Sequence, residues 1–147
     1  MESETGANEV AQTTARSMAG TMMEALGMVV ETAERERVRI RMPVDNRTRQ
    51  PFGLLHGGAS VALAETAASL GTMLNIDGGR EVAVGIEINA NHIRGKRDGV
   101  VVGEATPLHR GRRTMVWDIR ITDEENRLIA ISRCTVAVVP RRTEGDG

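Results

Sequence analysis

Between Arg37 and Val44 the chain alternates charged and apolar residues one for one, with Val38, Ile40 and Met42 interleaved with Arg37, Arg39 and Arg41. A period of two marks a strand with one buried and one wet face. Residues 26–32 read as a preceding strand, joined to it by the charged Ala33-Glu34-Arg35-Glu36. Four longer strand-like runs follow at 82–93, 100–109, 114–122 and 128–139, separated by RGKRDG, HRGRR and DEEN. Connections of hairpin length predict a largely antiparallel sheet. Residues 55–76 break this rhythm: the segment is rich in Ala and Leu, lacks proline and is apolar on nearly every side. It predicts a buried helix despite Gly71. A weaker helical spacing covers residues 10–25, while residues 1–8 and 141–147 are polar and expected to fray.

These elements predict an α+β fold, a single domain over residues 1–147 in which a five- or six-stranded antiparallel sheet wraps one long central helix. One sheet covers only one side of an all-round apolar helix, so a second subunit is expected on the other.

Composition narrows the function classes. At 147 residues and 15.9 kDa the chain fits one domain. Nineteen basic and twenty acidic residues give a net charge of -1, so no global basic field favours nucleic acid. The single cysteine, Cys134, lies in an alternating apolar run; it has no internal disulfide partner and fits a reducing, cytoplasmic setting. No run of about 18 apolar residues spans a bilayer, and MESETGANEVAQTTARS lacks the basic and apolar regions of a signal peptide. With one Phe and one Trp, the core must be aliphatic.

The candidate chemistry lies in QPFGLLHGGASVALAETAAS, residues 50–69. Glu65 is the only acidic or basic residue between Arg49 and Asp77, and its helical neighbours are Val61, Ala62, Ala68 and Ser69. The usual reason for a helical glutamate, a cation one turn away, is missing. Desolvation is one way enzymes tune a carboxylate as general base or nucleophile. His56-Gly57-Gly58 stands where the helix begins, where early N–H groups lack internal partners and an oxygen gaining negative charge can be held. Alternatively, the glycines serve only a turn and tight packing. Gly57 and Glu65 lie eight residues apart, about 12 Å of rise on one helix. If both act on one carbonyl, they come from different subunits, as two antiparallel helices about a two-fold axis would arrange. Ser69, one turn beyond Glu65, either positions a water or the glutamate, or is a small packing residue. Arg94, Arg110, Arg112, Arg113, Arg141 and Arg142 form local clusters that read equally as solvated strand ends or as phosphate binders. No HxxxH or CxxC pattern points to a metal.

Taken together, MPVDNRTRQPFGLLHGGASVALAE, VGIEINANHIR, PLHRGRR, VWDIRITDE and SRCTVAVV resemble, in the same order, the hotdog-fold acyl-CoA thioesterases. The resemblance is greatest to the bacterial 1,4-dihydroxy-2-naphthoyl-CoA thioesterases and their aryl-carrier-protein proofreading relatives. It implies hydrolysis of an acyl- or aryl-CoA thioester with no cofactor, CoA being part of the substrate, in a dimer of dimers with shared sites. It further implies that Glu65 is the catalytic nucleophile or general base and that the Gly57 N–H polarises the thioester carbonyl. Gln50 and His56 would orient the thioester and support its oxyanion or leaving thiolate, with Ser69 assisting. Gly85, His92, Ile93, Arg94 and Gly95, with His109, Arg110, Gly111, Arg112, Arg113 and Thr114, would hold the substrate and its CoA. The chain departs from the group's pattern in its longer, methionine-bearing N-terminal segment, which leaves the acyl group open. A non-catalytic acyl-CoA binder on the same fold, a carrier-protein proofreading thioesterase and a hotdog hydratase or dehydratase are the competing readings. The last lacks its usual histidine- and proline-rich segment.

Overall fold

A computed structural model of the chain describes residues 18–142. Six strands form one sheet: β1 (Val29–Glu34), β2 (Arg37–Pro43), β3 (Glu81–His92), β4 (Val100–Arg110), β5 (Thr114–Asp123) and β6 (Leu128–Pro140). Their spatial order is β1-β2-β4-β5-β6-β3, with every pairing antiparallel. A short helix, α1 (Met22–Ala25), precedes β1, and the long helix α2 (Gly57–Met73) lies against the sheet. The alternation in β2 is realised as read: Val38, Ile40 and Met42 are fully buried, whereas Arg37 and Arg41 are exposed.

Part of the weak helical pattern at 10–25 lies outside the described residues. Within them Met18 is helical, Gly20, at φ +72°, turns the chain, and α1 follows. The long helix is shorter than the 55–76 expected, for identifiable reasons. The Leu55 N–H is donated to Lys96 O at 2.7 Å, and at the other end the Asn75 side-chain amide donates to Gly71 O and Arg35 O. The 141–147 tail, expected to fray, begins with an anchored residue: the Arg141 N–H donates to Arg80 O and its guanidinium to Gly78 O.

Ala59, Leu63, Ala64, Ala67 and Ala68 of α2 are buried against the sheet. Small side chains let helix and sheet approach closely, and Gly71 takes this furthest. A Cβ there would lie 2.6 Å from the Trp117 ring, which is itself fully buried. The Trp117 Nε1–H donates to Thr72 Oγ1 at 2.9 Å, and that hydroxyl donates to Ala68 O at 3.0 Å. Thr72→Val would keep the shape and orphan a buried indole N–H, so it is expected to cost about 1–3 kcal/mol of unfolding free energy. Urea denaturation measures it.

Within one chain the sheet buries only one side of α2. Val61, Glu65, Ser69 and Met73, four residues apart along one stripe, are only half-buried, as are Ala62 and Thr66 beside them. One sheet covers one face of a helix, and among the described residues no second layer meets the other. The edge strand β3 is also open: it is 12 residues long and leaves Val84 and Ile86 exposed.

Candidate active site

His56 caps α2. Its backbone is extended (φ -68°, ψ 130°) and its Nδ1 accepts the Gly58 N–H at 2.7 Å. A backbone amide can only donate, so Nδ1 is unprotonated and the proton of the neutral ring sits on Nε2 as an available donor. The Ala59 and Ser60 N–H groups both point to His56 O, at 3.0 and 3.2 Å. Of these first N–H groups of the helix, that of Gly57 has no acceptor among the described residues. Gly57 lines a cleft of about 260 Å³ together with Gln50, Ser60, His92, Arg94 and Gly95. The His92 ring lies against it, its Nε2 2.8 Å from where a Cβ of residue 57 would stand. Gln50 Oε1 accepts the Phe52 N–H, so the Gln50 amide NH2 is the end of that side chain left to donate.

The loops that carry these groups are stitched together. Leu55 and Arg49 donate to Lys96 O and Arg97 O, and Val44 N–H to Gly99 O. Lys96 is held at 2.6 Å by Glu124, whose other oxygen accepts the Val100 N–H. The Glu124 partner raises the Lys96 pKa, and the Lys96 ammonium in turn holds Glu124 low. Burial pushes the Asp123 carboxyl up, but the Arg127 backbone and guanidinium and the Glu125 N–H outweigh it and leave it low. In the neighbouring turn, the Arg47 guanidinium bonded to both carboxylate oxygens brings Asp45 from 3.8 down to about 2. These carboxyls bind protons more weakly folded than unfolded, so their stabilisation is complete above the unfolded values and is lost as pH falls through the folded ones. The melting temperature is therefore expected to hold steady near neutral pH and to begin falling below about pH 5.5. For Asp45 the loss runs from pH 3.8 toward about 2, and Asp45→Asn should flatten part of the fall when melting is followed by circular dichroism.

Glu65 does not reach this cleft within its own chain. Its side chain runs to β3, where a Cβ on Gly85 would collide with the carboxylate. Gly85 borders a bulge, with Ile86 as the extra residue. Among the described residues neither the Glu65 nor the Ser69 side chain has a hydrogen-bond partner. On the inner face of β6, burial first, then the charges of Glu65 and Glu87, push the Cys134 thiol up to about 12. That thiol is therefore protonated and unreactive at neutral pH.

Apart from Gly85, which lies against Glu65, the residues assigned to substrate and CoA divide into two groups. His92, Ile93, Arg94 and Gly95 surround the Gly57 cleft. Arg110, Gly111, Arg112 and Arg113 line a larger cleft of about 880 Å³ with Asn75, Asp77 and Glu81, beyond the other end of α2. His109 packs on Gly111, and Thr114 O accepts the Gly111 N–H at 2.9 Å. The helix alone separates the two groups by about 24 Å. Sequence reasoning passed over Ser60, which reads as one more small packing residue; its spacing of three from Gly57 was the available signal. It also passed over Lys96, whose role depends on a hairpin 28 residues away.

A family model described as the thioesterase superfamily matches residues 52–130. The chain is 49% identical over 120 residues to the 1,4-dihydroxy-2-naphthoyl-CoA hydrolase of Escherichia coli, covering 82% of this chain and 88% of that protein. It is 48% identical over 120 residues to the proofreading thioesterase EntH of Cronobacter sakazakii, covering 82% and 87%. The crystal structure of a mutant thioesterase from Pseudomonas aeruginosa is similar at a TM-score of 0.86 and 44% identity, covering 89% of this chain and 94% of that one.

Proposed function

This chain belongs to the thioesterase superfamily and is a thioesterase of hotdog fold, and from that premise we propose that it hydrolyses an aromatic acyl-CoA, such as 1,4-dihydroxy-2-naphthoyl-CoA, at sites shared between two subunits. The observation that carries this reading is the Gly57 N–H, without an acceptor among the described residues, at the start of α2 and on a residue that lines a cleft.

In this mechanism the thioester carbonyl oxygen lies against the Gly57 N–H, at the positive end of the helix. The donors left over by the capping and turn bonds, His56 Nε2–H and the Gln50 amide, orient the thioester and support its oxyanion or departing thiolate. Glu65 of the other subunit either supplies the attacking oxygen or takes a proton from the attacking water, with Ser69 assisting from the same stripe. The carbon–sulfur bond breaks and CoA leaves as the thiol. Where water attacks, the free acid leaves directly, and where Glu65 attacks, a water then cleaves the glutamyl anhydride to release the acid and restore Glu65. The chemistry calls for no metal and no cofactor.

Symmetry supports the sharing. Gly85 and His92 are seven residues apart on β3, about 23 Å along an extended strand. Antiparallel pairing of two β3 edges about an axis between Ile88 and Asn89 would set Gly85, and the Glu65 carboxylate resting on it, opposite His92 of the partner subunit. Glu65 would then meet the partner's Gly57. The same axis brings the Arg110–Arg113 group, which shares its cleft with Glu81 at the start of β3, toward the partner's Arg94, so that both basic groups would hold one CoA. Pairing would also cover the exposed Val84 and Ile86. Two such dimers would form a tetramer. The buried, unreactive Cys134 thiol fits a cytoplasmic protein.

Carrier-protein proofreading is the second reading, favoured by the similarity to the relative of that name. A panel of aryl-CoA, acyl-CoA and aryl-carrier-protein thioesters, followed by free-thiol release, separates the two. Fastest turnover is expected on aryl-CoA; preference for the carrier thioester would select the second reading, and binding without release would leave only a binder. Subunit mixing tests the sharing: Glu65→Gln and Gly57→Pro chains, each inactive alone, should regain about a quarter of wild-type activity when dissociated and reassembled together. No recovery would put both groups in one chain.

A further inference from the structure

We propose that the Ser60 hydroxyl is a second hydrogen-bond donor to the thioester carbonyl oxygen, acting beside the Gly57 N–H. The proposal rests on the reading of Gly57 given above and adds a catalytic residue to that site.

Ser60 is only 2% exposed, yet it lines the Gly57 cleft. Its hydroxyl has no hydrogen-bond partner among the described residues. Thr66 and Thr72, on the same helix, satisfy their hydroxyls on the carbonyls four residues back, Ala62 O and Ala68 O. Ser60 does not, and the reason is local. The corresponding carbonyl, His56 O, already accepts the Ala59 and Ser60 N–H groups, which occupy both lone pairs. No side-chain nitrogen or oxygen sealed from solvent lacks a partner among the described residues. The unpartnered Ser60 hydroxyl must therefore keep its small accessible area, and that area opens into the cleft.

A buried hydroxyl with nothing to bond is costly unless water or a ligand reaches it. Ser60 stands three residues after Gly57, and helical side chains lean toward the N-terminus, which sets its oxygen over the turn that Gly57 begins. A carbonyl oxygen has two lone pairs. One oxygen placed at the Gly57 N–H is therefore within reach of both donors, and the bond from Ser60 strengthens as that oxygen gains charge. A contact that grows in the transition state appears in kcat; one made equally in the bound substrate appears in KM.

Ser60→Ala deletes the donor and leaves no protein group orphaned. It is expected to lower kcat for an aryl-CoA on the order of 10²-fold, with KM changed by less than about threefold and a melting temperature equal to or above that of the wild type. Ser60→Cys, of similar size but a weak donor, should fall between. The loss should persist on the benzoyl thioester of mercaptoethanol, which lacks the amides of pantetheine. A kcat within about twofold of wild type overturns the proposal, as does an effect confined to KM or lost on the truncated thioester. A lowered melting temperature with unchanged kcat would make the hydroxyl structural and also overturn it. Gly57→Pro separates this failure from that of the underlying site: if it abolishes turnover while Ser60→Ala does not, only the Ser60 assignment falls, whereas full activity in both removes the site itself.

Discussion

Glu65→Gln is expected to lower kcat by about 10²- to 10⁴-fold, the usual contribution of a positioned general base, without unfolding the protein. The substitution keeps the length and the contact with Gly85 and removes only the charge. Because the Glu65 carboxylate has no hydrogen-bond or ion-pair partner among the described residues, no group is orphaned by the change. Removing a half-buried, unpaired charge should leave the melting temperature equal or slightly higher. That combination, a large kinetic loss at no cost in stability, separates a functional carboxylate from a structural one. Initial rates of thiol release from an aryl-CoA, with thermal denaturation alongside, provide both readings. Retention of more than about a tenth of wild-type kcat would move the catalytic carboxylate elsewhere.

Gly57→Pro is the second large effect, and its value lies in what it leaves alone. Position 57 is the first residue of the helix, where proline is well tolerated because the N–H there has no helical partner. The preceding His56 is already extended, as a residue before proline must be. The variant therefore removes one donor from a largely unchanged helix start. The added ring displaces His92, whose Nε2 lies 2.8 Å from the new Cβ position. Gly57→Ala displaces His92 in the same way but retains the N–H, which makes it the control. Relative to Gly57→Ala, Gly57→Pro should lose a further factor of about 10²–10³ in kcat, the effect of deleting one oxyanion donor. Equal rates in the two variants would show that the glycine serves only the approach of His92.

Much of this was legible in the chain because it is local. The alternation of Val38, Ile40 and Met42 with arginines follows from the two-residue repeat of a strand and needs no tertiary information. The start of α2 was marked within two residues by His56-Gly57-Gly58, since capping chemistry involves neighbours in sequence. Glu65 stood out because a helix surface is read at three and four residues, and no cation occurs there. The 12 Å between Gly57 and Glu65, which demands a second subunit if both act together, is likewise helix arithmetic.

Other features depend on which segments meet, and no local pattern encodes that. The order β1-β2-β4-β5-β6-β3 places the third strand at the edge beside the sixth, which leaves β3 free to pair and lays Gly85 under the Glu65 carboxylate. Among the described residues the Glu65 stripe of α2 is only half-buried, because a single sheet has only one face to give it. The arginines of residues 110–113 looked continuous in purpose with Arg94, but folding carried them to opposite ends of α2. The tautomer of His56 and the unsatisfied Ser60 hydroxyl were invisible for a related reason: both follow from counting which donors have already used which lone pairs. The sequence by itself determined the elements and singled out the candidate groups, because periodicity and capping act over a few residues. Only the tertiary structure decided which of those groups share a cleft and which stand apart within one chain, because hydrogen-bond satisfaction and strand order are properties of the whole packed molecule.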